Sequence, residues 1–266
     1  MSSHPILNEL SPEERDDLNG VKFLDLKEWS QAASGVIFFA EDLSANQVIA
    51  EVYTKKIHHL LQKNEKRLPV EMKIAKAAID QRTDYFNPEF CFFNPTEKRL
   101  VTFAGASEKQ MLRDKYIEFV DQSNSPSLSQ CAYAIFEELY MNAVIDAPKE
   151  AAKRNVPGDN KNPEFFLARN GDSMQISCSD YFGSLDTNKL LARMHEVYEK
   201  GAGEVINMRN TAGGAGIGCV ILFENCSSLI IGVNPGHQTK VTCILPIGVS
   251  NRQREKMKKS LHWFHI

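Results

Sequence analysis

The first dense apolar block of the chain is Gly35–Asp42 (GVIFFAED). A turn and a pair of acids bound it, which predicts a short buried strand. Ser44 to Asn64 follows, with Val48, Val52, Ile57, Leu60 and Leu61 near helical spacing behind a serine suited to N-capping. That pattern predicts one long helix, and Val70–Gln81 predicts a weaker one. Arg82–Arg99 holds two Asn-Pro pairs among aromatics and reads as an irregular connector and a domain boundary.

Beyond it the pattern tightens. Arg99–Gly105 suits a strand, and Ser107–Ser123 an amphipathic helix with Met111, Leu112, Tyr116, Phe119 and Val120 inward. Ser125–Pro148 predicts a stronger helix, opened by serines and ended by proline. Pro163–Gly183 carries a hairpin signal, an apolar run, an Asn-Gly-Asp turn, then Met174, Ile176 and Cys178 alternating with polar residues. A helix over Ser184–Gly201, capped by Ser184 or Asp186, precedes the glycine-rich loop Thr211–Gly218. After the loop come a helix over Ile217–Ser228 and two strands, Ser228–Val233 and Thr239–Ile247, joined by the turn Asn234–Gln238. This order predicts a two-layer α/β (α+β) sandwich, a mixed and mostly antiparallel sheet covered by helices on one face. Residues 1–97 read as a small N-terminal α/β region, 98–248 as the main domain and 249–266 as a basic, aromatic tail. The tail fits a helix packing on its own chain, or a contact with a membrane or an acidic partner.

Composition narrows the picture. The 266 residues are 42% hydrophobic and 24% charged, ordinary for a globular protein, and the net charge of −3 argues against a nucleic-acid-binding surface. No apolar run reaches the roughly 20 residues of a membrane span, and the first residues lack the features of a secretion signal. Six cysteines without a CxxC pair, four of them (Cys131, Cys178, Cys219 and Cys243) among apolar neighbours, read as small buried hydrophobes in a reducing cytoplasm. His58 and His59 read as ordinary helix residues.

Three places carry candidate chemistry. Glu138 and Asn142 lie four residues apart on one helix face, and Asn142 stands between Met141 and Ala143 in an apolar stretch that does not favour asparagine. A carboxylate there could accept a proton, and an amide oxygen one turn on could bind Mg²⁺. Asp180 ends the alternating strand where sheet gives way to loop. Gly214, Gly216 and Gly218 open a helix, an arrangement that serves either a turn or the close approach of backbone amides to a phosphate.

In this order, the motifs resemble the GHKL ATPase family, which includes gyrase and histidine-kinase ATP-binding domains. Glu138–Ala143 (ELYMNA) is similar to the family's N box, Asp180–Gly183 (DYFG) to its first glycine box, and Gly214–Gly218 (GAGIG) to its second, with Thr239 matching the threonine that ends the signature. The resemblance spans about 99–248 and implies a Bergerat-type fold binding ATP and Mg²⁺. Glu138 would be the general base, Asn142 the Mg²⁺ ligand and Asp180 the acceptor for the adenine amine, with Thr239 supporting it. The loop glycines would reach the phosphates, Arg209 is the nearest cation to them, and 185–213 would be the lid. Phe182 departs from the pattern, standing before Gly183 where the family usually has glycine; its ring could stack beside the adenine or narrow the pocket. The layout is closest to the anti-sigma-factor serine kinases. It implies phosphoryl transfer to a serine or threonine of a regulatory partner, of anti-sigma-antagonist or response-regulator type, in a cytoplasmic protein that could be a homodimer. A non-catalytic, nucleotide-gated interaction module is the alternative, as is a histidine-kinase-like ATPase domain without its own phospho-accepting histidine.

Overall fold

The computed structural model describes residues 7–8, 10–12, 15, 22–29, 36–62, 68–159, 161–207 and 217–266. Its elements run β1 (Lys22–Asp25), β2 (Val36–Ala40), α1 (Ala45–Lys55), β3 (His59–Gln62), α2 (Leu68–Asp80), α3 (Arg82–Tyr85) and β4 (Glu97–Thr102). Then come α4 (Lys109–Asp121), α5 (Pro126–Met141), a π-helical turn (Asn142–Asp146), α6 (Ala147–Arg154), β5 (Glu164–Arg169) and β6 (Ser173–Asp180). The remainder is α7 (Thr187–Lys200), α8 (Ala202–Asn207), α9 (Ile217–Asn225), β7 (Ser228–Asn234), β8 (Gln238–Pro246), α10 (Asn251–Glu255) and β9 (Ser260–His265).

The chain is a mixed α/β protein. Its described strands form one nine-stranded sheet in the order β1-β2-β3-β9-β7-β8-β6-β5-β4. β4, β5, β6, β8 and β7 are joined antiparallel, while β1–β2, β2–β3 and β7–β9 run parallel. The hairpin signal at 163–183 forms as expected, and the Asn170 side chain holds its turn by accepting the amides of Asp172 and Ser173. Asp186 caps α7, accepting from the Lys189 amide at 3.0 Å.

Several expectations are corrected. The helix expected to run to Asn64 stops at Lys56, which turns left-handed (φ 54), and the chain re-enters the sheet as β3. Leu60 and Leu61 bury opposite faces of that strand, so their spacing serves a sheet rather than a helix. The tail is neither a free basic segment nor a long helix; after the short α10 it becomes β9, inserted between β3 and β7.

Helices were expected on one face only, yet both faces are covered. One core joins Phe38, Leu60, Ile176, Leu229, Cys243 and Leu261 to α1, α4, α5, α7 and α9 (the front). On the other face, Ile37, Phe39 and Leu61 meet Met72 and Ala75 of α2, while Ile230, Ile244 and Phe264 meet Ile74, Ala78, Tyr85 and Phe86 (the back). β8 is therefore buried at every position, the mark of a strand covered twice. The connector is part of that back layer, because Phe90, Phe92 and Phe93 pack on it; the sheet runs across both expected boundaries, 97/98 and 248/249. Finally, the helix expected to end at Pro148 continues as α6, with the proline in its first turn, where it needs no amide hydrogen. Of the cysteines expected to be buried, Cys131 is only half-buried.

Candidate functional site

α5 presents Leu128, Ala132, Ile135, Phe136 and Leu139 to the front core, which leaves Glu138 half-buried at the margin. Immediately after it the backbone passes into the π turn, where the Ala147 amide donates to Asn142 O, five residues back. Such turns insert one residue into a helix and recur at functional sites. Here the insertion has a geometric effect. Eight residues of ordinary α-helix would carry Asp146 about 80° past Glu138. One extra residue takes back about 100°, returning Asp146 to the Glu138 side.

The electrostatics agree. Burial pushes the Glu138 carboxyl up, and the charges of Asp146 and Glu137 add to it. Burial raises Asp146 as well, with Lys149 and Lys153 pulling the other way. Cys219 at the start of α9 is pushed up to about 12, by burial first and then by Glu138 and Asp146. Two carboxylates thus lie near the N-terminal turn of α9, and among the described residues neither makes an ion pair.

Gly218 sets how close these elements come. A Cβ at this position would collide with Glu138 Oε2. Any larger residue here would push the Glu138 carboxylate out of its present position, so Gly218 leaves room for that carboxylate against α9. At the other end of α9, Lys259 Nζ donates to the carbonyls of Glu224 and Cys226, so a cation caps the negative end of the helix dipole. Arg209, Gly214 and Gly216 lie outside the described residues, as does the end of the expected lid; α7 and α8 form its earlier part.

The second half of the site lies on the sheet. Asp180 ends β6 directly opposite Thr239 of β8. Both share the parity of Ile176, Cys178, Val241 and Cys243, and so face the front, the side of α5 and α9. Asp180 Oδ1 accepts the Phe182 amide at 3.0 Å. Burial nonetheless pushes its carboxyl up to about 6, against the pull of that amide and, more weakly, of Thr239 and the Gly183 amide. The buried Thr239 hydroxyl lies beside it and closes no well-formed hydrogen bond. Gly183 takes φ +57, and a Cβ on it would overlap Asn234 O in the β7–β8 turn, so this glycine is demanded by backbone packing. The Phe182 ring is half-buried against Gly158, whose Cβ would strike it.

The two halves are tied together. The π turn packs on β6, and Ser184 Oγ donates to Ala147 O at 3.1 Å, fastening the loop after Asp180 to the end of that turn. The structure therefore brings Glu138 to Gly218, and the Asn142 turn to the strand of Asp180, beside that of Thr239. Sequence reasoning missed Asp146, which is out of phase with Glu138 in an unbroken α-helix, and Ser184, weighed only as a cap. A cavity of about 600 Å³ lies elsewhere, lined by residues 42–47 and 255–259 together with Tyr198 and Glu224. Among the described residues, no helix is long and apolar enough to cross a membrane. No protein-family model and no curated protein sequence matches this chain.

Proposed function

We propose that this chain binds ATP with Mg²⁺ in a GHKL-type, Bergerat-like site on the front of the sheet. It would use the nucleotide to phosphorylate a serine or threonine of a regulatory protein partner. The observation that carries the reading is Asp180, a carboxylate buried at the end of a core strand beside a hydroxyl without a good partner. A buried hydroxyl without a close partner, beside a carboxylate held partly protonated by burial, fits a ligand that engages both. An exocyclic amine does so, donating to Asp180 while Thr239 fixes the carboxylate.

The residues present fit the group. Asn142 would hold the metal through its amide oxygen, and the N-terminal turn of α9 would face the phosphates. Bound there, Mg·ATP supplies the transferable phosphoryl group and its charge neutralisation. The chain's own part is positioning and proton transfer, which is most of what phosphoryl transfer asks of a protein. Glu138 would take the proton of the attacking hydroxyl. Its raised carboxyl suits a base working near neutrality.

Calorimetry with ATP, ADP and GTP, with and without Mg²⁺, tests the binding. ATP should bind in Mg²⁺ well ahead of GTP, whose guanine carbonyl Asp180 repels. Asn142→Ala should weaken ATP by more than about tenfold, or about 1.4 kcal/mol. No binding by the wild type at millimolar nucleotide overturns the reading. Glu138→Ala tests the chemistry: it should bind ATP nearly as the wild type does, yet transfer phosphate roughly 10²–10⁴-fold more slowly. A wild type that transfers to no partner, yet changes partner with nucleotide, would be a nucleotide-gated module instead.

A further inference from the structure

The back of the sheet carries a second unusual set of groups. His59 of β3 and His262 of β9 stand directly opposite each other, fully buried, with ring centres 5.6 Å apart. Among the described residues, none of their four ring nitrogens has a hydrogen-bond partner. Three strands along, Lys240 of β8 is fully buried too. Its ammonium donates to Asn87 O at 2.7 Å and lies over the rings of Tyr85 and Phe90, at 5.1 and 5.9 Å. Among the described residues no carboxylate pairs with any of the three. What shuts them from water is one layer: α2 packs on β3 and β9, and α3 with the strap that follows it (residues 86–93) packs on β7, β8 and β9.

We infer that α2, α3 and the strap form an acid-releasable cover, seated on a row of buried basic side chains that have no acidic partners. The groups facing that row reinforce its preference for neutrality. Arg82 of α3 lies over Phe264, and its charge, with that of His58, bears on His59. On α2, Glu71 accepts from Ser228 Oγ, Lys76 pairs with Asp80, and Lys73 is exposed. Glu164 of β5 and the strap thiol Cys91 favour the charged form of Lys240, but burial outweighs them.

The direction follows from proton uptake. Burial holds His262 at about 3, against 6.5 in water, and lowers His59 in the same sense; it holds Lys240 at about 7, against 10.5. Each base binds a proton more readily once uncovered, so acid favours detachment. Lys240 contributes as pH falls from 10.5 to about 7, and the histidines below about 6.5.

Hydrogen exchange of the full chain from pH 4.5 to 9, corrected for intrinsic rates, tests this. Protection of 68–93 should fall by about tenfold per pH unit below 6.5 for each histidine that titrates, well before α5 loses its own. Lys240→Met should flatten the limb above pH 7, and His262→Gln the limb below it. Should His262→Gln fail to fold, the wild-type comparison and Lys240→Met still decide. The proposal fails if cover and α5 lose protection together, if the cover ignores pH, or if the variants keep the wild-type profile.

Discussion

Strands β6 and β8 carry polar side chains on both faces, and the two sets are treated in opposite ways. At the back, Gln175 binds the strap through Phe90 O at 2.7 Å and the Phe92 amide at 3.1 Å. Ser177 meets Thr242 at 2.9 Å, and Tyr85 OH reaches Thr242, Ile230 O and Lys240 O. On the front, three residues along the same strands, Asp180 is held short of full ionisation and Thr239 lacks a good partner. The satisfied network holds the fold together, while the front pair, whose Thr239 hydroxyl has no close partner, is open to something else. Polarity alone does not mark a site; what remains undone by the chain itself does.

Substitutions should separate the two faces, and the largest effect belongs to the back. Tyr85 is fully buried, packs its ring on Phe86, Phe90, Phe92 and Phe264, and lies against Gly232, where a Cβ would clash. Tyr85→Ala should cost about 3–5 kcal/mol and lower Tm by on the order of 10 °C. The folded fraction should keep its nucleotide affinity. A large loss of affinity without destabilisation, read by calorimetry beside thermal melts, would erase the contrast.

The front should behave inversely. Folding raises the Asp180 carboxyl from 3.8 to about 6, so ionising it opposes folding above that range. Asp180→Asn keeps an oxygen for the Phe182 amide and removes the charge. It should stabilise the protein at pH 7–8 by about 3 kcal/mol, two pH units at 1.36 kcal/mol each. The gain should shrink as pH falls through 6 and vanish below about 4, while ATP binding is lost. Denaturant melts at pH 4 and 7.5 measure both ends; a variant less stable than wild type at pH 7.5 would show the carboxylate to be structural.

The smallest effect is expected at Thr239. Removing a hydroxyl with no good partner should shift stability by less than about 1 kcal/mol, so Thr239→Val should melt with the wild type. Nucleotide affinity should fall by roughly 2–10-fold, one hydrogen bond's worth. A marked destabilisation would place the hydroxyl among the satisfied groups.

Much of the front was legible from sequence because its signals are local. The alternation of Met174, Ile176 and Cys178 announces β6 and puts Asp180 at its end, and the Asn-Gly-Asp turn sets its pairing with β5. What escaped was tertiary. The helical spacing that carried Ile57, Leu60 and Leu61 on from Val48 and Val52 is overruled by the slot between β2 and β9. Trp263 and Phe264 bury opposite faces, so β9 shows no alternation of apolar with polar to betray it. The Asn-Pro pairs of the strap mark irregular backbone correctly but do not say that it docks. Asp146 was hidden by an inserted residue that no side-chain pattern reveals.

β9 also bears on how the molecule assembles. Its neighbours are residues 59–62 on one side and 228–234 on the other, so one pairing spans about two hundred positions of chain. During synthesis β1, β2 and β3 emerge long before the strand that joins them to the rest. Until then β3 has an open edge, which invites pairing with other chains. Loop closure on that scale is slow, so β3 must wait in a partly formed state that favours swapping of β9 between two molecules. The step that commits the sheet to one chain is then the arrival of Ser260–His265.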